Sequence, residues 1–217
     1  MRWVVDISLD DYRTLIFDCD GVVLNSNKIK TAAFYEVTKH YGHDVATAFV
    51  GYHVQNGGVS RYEKFEYFIN KLLKKKPDQE ELDSLLMNFA RVVKRELMTC
   101  EVAEGLMELR EKTQHTRWLI VSGGDENELR EIFEKRGLAT LFDGGIFGSP
   151  NNKETILKRE EDRGNIVRKG LFLGDSQYDY QAAKQAKHDF VYVSAWSEWV
   201  PAKQPFMSIN KLHKLIQ

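Results

Sequence analysis

Two short acidic motifs hold the residues of this chain that are best placed to do chemistry. Asp18 and Asp20 stand two residues apart before a glycine, and Asp175 and Asp179 stand four residues apart after one. Each motif directly follows an apolar run, so its first carboxylate is expected at the end of a buried strand. Neighbouring carboxylates repel one another unless a cation or hydrogen-bond donors compensate, and Mg²⁺ takes oxygen ligands of this kind. Either motif alone also fits a plain structural role, as a strand-ending turn or a helix N-cap.

A hydroxyl, a glycine turn and a lysine complete the candidate set. Ser122 and Gly123 follow the apolar run at 118–121, and a hydroxyl beside unhindered backbone N–H groups forms a natural cradle for phosphate. Lys153 lies near the predicted start of a helix, where the helix dipole disfavours a cation. That position suits a lysine that faces anions, although a glycine-rich turn or a surface lysine alone indicates little.

Together these pieces fit phosphoryl transfer. One aspartate can attack a phosphoryl group and form an aspartyl-phosphate, and a second acid can protonate the leaving alcohol and later activate water. Mg²⁺ lets the anionic nucleophile approach the anionic phosphate. Ser122, Lys153 and backbone amides would balance the charge on the transferring oxygens.

Four apolar runs predict the elements that position these residues. Helical patterns separate the runs, which lie at 14–17, 118–121, 170–173 and 190–193. Such runs are typical of strands buried on both faces, and their alternation with helices predicts an α/β fold with a mainly parallel sheet. Ligands of such sheets bind beyond the carboxyl ends of the strands, where the candidate residues fall. Asp125 is expected to cap the helix after the second run, with further helices near 178–187 and 209–216.

A long helical insertion separates the first predicted strand from the second. The apolar spacing predicts three helices there: one that Gly42 ends, one that Ser60 opens with a capping-box pattern, and one that carries Leu82 to Val93. Because they follow the first strand, these helices are expected to form a lid on the carboxyl edge of the sheet. The predicted domains are therefore a core of residues 1–24 and 104–217 and an α-helical cap of residues 25–103.

The motifs, in this order, resemble those of the haloacid dehalogenase superfamily, in its phosphatase branch with a helical cap after the first strand. The resemblance covers nearly the whole chain and implies a Rossmann-like, doubly wound parallel sheet. It implies that Asp18 is the nucleophile and Asp20 the general acid and base. It assigns the substrate's phosphate to Ser122, Gly123 and Lys153. It assigns Mg²⁺ to four aspartates, namely Asp18, Asp20 through its backbone carbonyl, Asp175 and, in support, Asp179.

The cap carries a further resemblance at residues 58–61, which read Gly-Val-Ser-Arg. This segment is similar to the specificity loop of the β-phosphoglucomutases of the same superfamily, in which the matching arginine grips a sugar phosphate. By that resemblance Arg61 and Lys64 bind a distal phosphate or carboxylate of the substrate. The alternative is that Ser60 caps a helix and Arg61 is exposed. Gly174 departs from the mutases, which carry an acidic metal ligand at that position, and so favours a phosphatase.

Composition sets limits on the partners. The 217 residues include 31 Lys and Arg against 32 Asp and Glu, a formal net charge of −1. A nucleic-acid binder usually has a basic excess, and a membrane span needs an apolar run of about 20 residues; the sequence has neither, so neither partner is expected. The first eleven residues lack the pattern of a signal peptide, and two cysteines are too few for a disulfide framework. We therefore expect a cytoplasmic protein that acts on a small molecule.

The function predicted from these residues is that of a Mg²⁺-dependent phosphatase of a small phosphorylated metabolite, a sugar or sugar-acid phosphate. A phosphomutase that uses the same aspartyl-phosphate is the first alternative. A non-catalytic binding or regulatory protein of the same fold is the second, and the joint presence of a nucleophile and an acid argues against it. Cys19, between the two acids, is expected to be a small core hydrophobe.

Overall fold

A parallel six-stranded sheet forms the centre of the molecule in the computed structural model, which describes residues 7–76, 78–167, 169–202 and 205–216. Its strands are β1 (Thr14–Phe17), β2 (Arg117–Asp125), β3 (Gly145–Ser149), β4 (Leu171–Gly174), β5 (Asp189–Val193) and β6 (Met207–Ile209). They lie in the order β3-β2-β1-β4-β5-β6, and every neighbouring pair is parallel. The predicted α/β, doubly wound parallel fold is therefore confirmed, with the reversal of strand order beside β1. The apolar runs predict four of these strands but neither β3 nor β6.

The central strands are buried on both faces. In β1, Leu15 and Phe17 pack into one hydrophobic cluster, and Ile16 packs into the cluster on the opposite face. In β2, Trp118 and Leu119 divide between the same two clusters. Since alternate residues face opposite sides of a sheet, burial on both sides requires the unbroken apolar runs seen in the sequence. The polar residues that follow these runs consequently stand at the carboxyl edge of the sheet.

The residues inserted between β1 and β2 form a cap of four α-helices. They are α1 (Asn27–Thr38), α2 (His43–Gln55), α3 (Arg61–Tyr67) and α4 (Gln79–Leu97). The sequence predicts three helices, and α2 is the one that it lacks. Gly42 ends the first helical segment, with a φ of 121°, and α2 begins at the next residue. The buried positions of α2 are Ala46, Phe49 and His53. Further apolar residues of the helix, among them Val45 and Val50, are only partly buried, so the sequence shows no single apolar face.

Aromatic rings give the cap a core of its own. The ring centroid of Phe34 lies 4.3 Å from that of Phe89 and 5.3 Å from those of Phe49 and Phe65. Each of these four rings belongs to a different helix of the cap. The cap is therefore held together by its own packing as well as by its contacts with the sheet domain.

The two chain crossings between core and cap lie side by side. The backbone N–H of Asn25 donates to the carbonyl of Glu101 at 2.9 Å, and Leu24 forms a β-bridge with Val102. The predicted domain boundaries, before residue 25 and after residue 103, fall at these crossings and stay a prediction.

Four further α-helices belong to the core: α5 (Leu106–Lys112), α6 (Glu126–Lys135), α7 (Lys153–Asp162) and α8 (Gln177–Gln185). Asp125 caps α6, as predicted, by accepting a backbone N–H at 2.9 Å. The helix predicted near 178–187 is α8, but the helix predicted over 209–216 is wrong. Ile209 ends β6 there and a 3₁₀ turn follows at Leu212–Leu215, because a short apolar segment fits a strand and a helix equally well. None of the helices in the described part of the chain is long and apolar enough to span a bilayer.

Candidate active site

The first acidic motif forms a tight turn at the end of β1. Asp18 is 2% exposed, and its backbone N–H donates to the carbonyl of Leu173 at 2.9 Å, which holds the ends of β1 and β4 together. Gly21 has a φ of 78°, and a Cβ there would lie 2.2 Å from Asp175 Oδ2. Only glycine fits this position, and the turn therefore brings the two acidic motifs into contact. Cys19, between the acids, is buried in the core as predicted.

The second acidic motif starts α8. Ser176 caps the helix by accepting the backbone N–H of Asp179 at 3.2 Å, which fulfils the predicted N-cap. In return Asp179 Oδ2 accepts the backbone N–H and the hydroxyl of Ser176, at 3.0 and 2.6 Å, and the backbone N–H of Asp175 at 3.2 Å. The buried carboxylate of Asp179 therefore fixes the shape of the loop that carries Asp175.

Lys153 links the two motifs. It is the first residue of α7, and its fully buried Nζ donates to Asp18 Oδ1 at 2.7 Å and also to Asp179 Oδ1. A lysine at a helix start is expected to face anions, and here it faces two. Burial disfavours its charge, but the two carboxylates outweigh burial and raise the pKa of Lys153 above its ordinary value. Lys153 is therefore an ammonium that bridges the predicted nucleophile and the second motif.

Three carboxylates converge at the ends of β1 and β4. One oxygen from each of Asp18, Asp175 and Asp179 lies within 4.8 Å of the others. Burial raises the pKa of Asp18 to about 7; Lys153 opposes this shift and the neighbouring acids add to it. Burial also raises the pKa of Asp175, and the charge of Asp179 adds to that effect. Among the described residues, Lys153 is the one cation in contact with this group of three carboxylates, so its charge does not balance theirs. A further cation would, and carboxylate oxygens are the ligands that Mg²⁺ prefers.

Asp175 is held in place by residues that the sequence does not single out. Asn27, the first residue of α1, donates from Nδ2 to Asp175 Oδ2 at 2.6 Å and to the carbonyl of Trp196 at 2.9 Å. The hydroxyl of Ser197 donates to the backbone carbonyl of Asp175 at 2.5 Å. Asn27 and Trp196 stand 169 positions apart in the chain, so only the folded molecule shows this support.

The carboxylate of Asp20 is bound by the cap. Ser26 donates to Asp20 Oδ1 at 2.6 Å, and Lys30 Nζ from α1 donates to Asp20 Oδ2 at 2.5 Å. Burial alone would raise the pKa of Asp20, but Lys30 and Ser26 outweigh it and lower that pKa below its ordinary value. The predicted acid and base is therefore an ionised carboxylate that contacts a lysine of the cap. The metal-binding role of its backbone carbonyl stays a prediction.

The predicted phosphate cradle lies directly under the cap. Ser122 is fully buried, and its hydroxyl accepts the backbone N–H of Gly124 at 3.1 Å. A Cβ on Gly123 would lie 2.0 Å from the carbonyl oxygen of Gly58 in the cap. Glycine at 123 is therefore required for the cap loop to approach the sheet this closely, and the structure is that of a closed cap. The phosphate contacts of Ser122, Gly123 and Lys153 stay predictions.

Arg61 joins the cap to the core. Its guanidinium donates to both carboxylate oxygens of Glu128 on α6, at 2.6 and 3.1 Å, and lies 4.9 Å above the ring of Phe89. Ser60 caps α3, as predicted, by accepting the N–H of Glu63 at 3.3 Å. The alternative that Arg61 is exposed is wrong, because the side chain is buried in this ion pair. Its predicted contact with the substrate stays a prediction, and such a contact would compete with Glu128.

Lys64 is also buried, at 2% exposure, and its Nζ lies 2.9 Å from His53 Nδ1. The cap and the core together enclose a cavity of about 60 Å³. Sites for small molecules usually measure about 300–1,000 Å³, so this cavity is small for a substrate and we expect the cap to open when a substrate enters. The cavity is lined by residues predicted for the core site, namely Asp18, Asp20 and Gly123, and by the two residues predicted to bind substrate from the cap, Arg61 and Lys64.

Comparison with known proteins gives a family and a fold. The model of the haloacid dehalogenase-like hydrolase family matches residues 12–187. A β-phosphoglucomutase from Clostridium difficile is 18% identical, with 94% of this chain and 93% of that chain covered and a TM-score of 0.73. A predicted phosphoglycolate phosphatase from Haemophilus somnus is also 18% identical, with 97% and 100% covered and a TM-score of 0.71. The Bacillus subtilis protein YfnB, in a magnesium-bound structure that reveals interdomain movement, is 20% identical, with 94% and 96% covered and a TM-score of 0.67. No curated protein sequence matches the chain.

Proposed function

The chain belongs to the haloacid dehalogenase-like hydrolases, and we propose that it is a Mg²⁺-dependent phosphatase that hydrolyses a small sugar or sugar-acid phosphate through an aspartyl-phosphate. The observation that supports this most is the buried cluster in which Lys153 bridges Asp18 and Asp179, with the carboxylate of Asp175 close to both aspartates. Stability alone gives no reason to bury four ionisable groups together, since apolar residues in place of buried ions are often neutral or stabilising. The likeness in fold to a predicted phosphoglycolate phosphatase supports the same class of substrate.

In the proposed first step Asp18 attacks the phosphorus atom of the substrate. Asp18 Oδ1 is bound by Lys153, which orients the carboxylate and leaves its other oxygen for the attack. The bond from Asp18 to phosphorus forms as the bond to the leaving alcohol breaks, while Ser122, Lys153 and the N–H of Gly123 hold the phosphate oxygens. The carboxylates of Asp18 and Asp175, with Asp179 in support, would hold Mg²⁺. When bound, Mg²⁺ supplies the positive charge that lets two anions approach each other.

Asp20 and Lys30 move the protons in this proposal. Asp20 starts as a carboxylate, so the proton for the leaving oxygen comes from Lys30, 2.5 Å away, and passes through the Asp20 carboxyl group, which leaves Asp20 ionised again and Lys30 as a neutral amine. In the second step the Asp20 carboxylate removes a proton from water, and the water oxygen attacks phosphorus and releases inorganic phosphate from Asp18. The proton gained by Asp20 returns to Lys30, so the pair ends with its starting charges.

One contact argues against the phosphomutase alternative. A Cβ at Gly174 would lie 2.4 Å from Asp179 Cβ and 2.9 Å from the ring of Phe190. The acidic side chain that the mutases carry at this position therefore has no room here. We propose hydrolysis on this ground, with water as the acceptor of the phosphoryl group.

Phosphate release from a panel of phosphorylated sugars and sugar acids tests the proposed function. We expect release in the presence of Mg²⁺, and a loss of more than about 100-fold after chelation of divalent cations. Mg²⁺ should restore the rate better than Ca²⁺, which takes more ligands at longer distances. Isomerisation of a substrate without release would identify a mutase, and undiminished hydrolysis in chelator would contradict the metal-dependent mechanism.

Arg61→Met should lower kcat/KM by about 10-fold on every substrate, p-nitrophenyl phosphate included. The reason is that the Arg61–Glu128 pair joins cap and core, and contacting charged residues couple by about 0.5–3 kcal/mol. Without its partner, the buried Glu128 carboxylate disfavours the closed cap. Steady-state kinetics on the two kinds of substrate measures the loss.

The double variant Arg61→Met/Glu128→Gln is the matched control for this prediction. Because it removes both charges, it should regain a substantial part of the lost kcat/KM. If instead the loss is confined to a substrate with a distal anion, and the double variant regains none of it, then Arg61 binds that anion as the sequence predicts.

A further inference from the structure

Lys64 differs from the other cations of the cavity in having no acidic partner. Three cap residues line the cavity with positive charge, namely Lys30, Arg61 and Lys64. Lys30 is paired with Asp20 and Arg61 with Glu128. Within the described residues, no carboxylate lies inside the 4.0 Å ion-pair distance of Lys64 Nζ. Burial of an ammonium without a counter-ion costs free energy. Because Lys64 lines the cavity, an anionic ligand bound there would supply the missing counter-ion.

The contacts of Lys64 leave donors free for that ligand. An ammonium can only donate, so His53 Nδ1 accepts from Lys64 Nζ at 2.9 Å. His53 Nε2 then carries the ring proton and donates to the hydroxyl of Thr31 at 3.1 Å, which donates in turn to Glu198 Oε2 at 2.9 Å. Burial and the charge of Lys64 lower the pKa of His53 to about 2, in keeping with a neutral ring. This chain of donors fixes one N–H of Lys64 and leaves two for a ligand.

We propose that Lys64 binds a carboxylate of the substrate, and that the enzyme therefore acts on phosphorylated carboxylic acids. The inference rests on the proposed function, because it places the phosphate of the same molecule at Asp18 in the same cavity. The single charge of the Lys64 ammonium matches the single charge of a carboxylate. A second phosphate group carries more negative charge and would need a further cation, but Lys30 and Arg61 are already paired with Asp20 and Glu128. Burial and the charge of Lys30 lower the pKa of Lys64 to about 7, as expected of an ammonium that lacks its anion.

The donor chain ties this recognition to the closed cap. Lys64, His53 and Thr31 belong to the cap, and Glu198 belongs to the core segment after β5. Lys64 is consequently oriented by its full set of partners only when the cap lies on the core. His53 acts as a positioning residue in this arrangement, since it touches Lys64 and not the reacting atoms.

Matched pairs of substrates test the proposal. Each pair differs in a carboxylate against a hydroxymethyl group: 2-phosphoglycolate against 2-hydroxyethyl phosphate, and 3-phosphoglycerate against glycerol 1-phosphate. The wild-type enzyme with Mg²⁺ should show a higher kcat/KM for the acids, by about 10- to 150-fold, the range of a charge-assisted hydrogen bond. Lys64→Met should reduce that preference to less than about threefold, because it lowers kcat/KM for the acids far more than for the neutral members. The control Lys71→Met, at an exposed lysine of the cap, should keep the full preference.

Two results would overturn the proposal: a wild-type enzyme without preference for the acids, or a Lys64→Met variant that loses activity equally on both members of a pair. If the wild-type enzyme releases no phosphate from any compound, the proposed function fails separately. The carboxylate site is then judged by binding, since a ligand that binds the folded state raises Tm, and raises it more the tighter it binds. A rise of Tm with 2-phosphoglycolate in the wild type that is absent in Lys64→Met would support the site. Equal rises, or none, would refute it.

Discussion

Asp18→Asn should lower the turnover of p-nitrophenyl phosphate by more than about 1000-fold. The substitution exchanges one oxygen for an NH₂ group and keeps the shape of the side chain, but an amide cannot form the acyl-phosphate. The fold should survive, because Lys153 keeps Asp179 as its partner and a buried charge is removed at the same time. Single-turnover phosphate release, with acid quenching to trap the phosphorylated protein, measures the effect.

Asp44→Asn is the matched control for this substitution. Asp44 is an exposed aspartate in the first turn of α2, so its replacement should leave turnover unchanged. An Asp18→Asn enzyme that keeps more than about a tenth of kcat has lost only about 1.4 kcal/mol of barrier stabilisation. That result, or a trapped phosphoryl group on another residue, would remove Asp18 from the role of nucleophile.

The core of the candidate site can be predicted from sequence because its signals are local. An apolar run that ends in an acid predicts a strand end, and parallel strands bring their carboxyl ends to one edge of the sheet. That argument places Asp18 and Asp175 correctly without any knowledge of side-chain contacts. Lys153 can be predicted for a related reason, since a lysine at a helix start is unfavourable unless anions face it.

The cap contacts cannot be predicted in this way, because they depend on how two separately packed units meet. Lys30 is ten residues from Asp20, and Glu128 is 67 residues from Arg61. No periodicity relates the members of either pair. The predicted substrate role of Arg61 depends on a local resemblance, whereas the pairing with Glu128 depends on the position of α6 under the closed cap. Helix α2 cannot be predicted for another reason. Two of its three buried residues are a histidine and an alanine, which are only weakly hydrophobic and do not mark a buried helix face.

The two ion pairs between cap and core determine the position of the closed cap but contribute little free energy to keeping it closed. Lys30–Asp20 and Arg61–Glu128 both cross from the cap to the core and are largely buried. Opening returns these charges to water, and their hydration compensates much of the Coulomb energy that is lost. Such pairs therefore fix one closed geometry at little cost to opening, which suits a cavity that is small for a substrate while the cap is closed.

Lys153→Met should abolish activity and also destabilise the protein, by about 3–5 kcal/mol, the usual cost of leaving buried charges unpaired. The reason is that Lys153 Nζ is the fully buried donor between Asp18 and Asp179. Without it the nucleophile is no longer oriented, and the developing charge on phosphate loses a donor, a loss of about 100- to 1000-fold. Urea denaturation measures the stability, and hydrolysis of p-nitrophenyl phosphate measures the activity. Lys158→Met, on the same helix with an exposed surface ion pair, should change stability by less than about 0.5 kcal/mol.

The double variant Lys153→Met/Asp179→Asn separates the two roles of Lys153. It removes one of the two carboxylates left without a partner, and the amide oxygen of an asparagine can still accept the backbone N–H groups of Asp175 and Ser176. It should therefore regain part of the lost stability. It should regain no activity, since neither methionine nor asparagine can neutralise the phosphate or orient Asp18. A double variant that recovers turnover together with stability would show that Lys153 serves the fold alone. A single variant as stable as the wild type would show that the two buried aspartates do not depend on its charge.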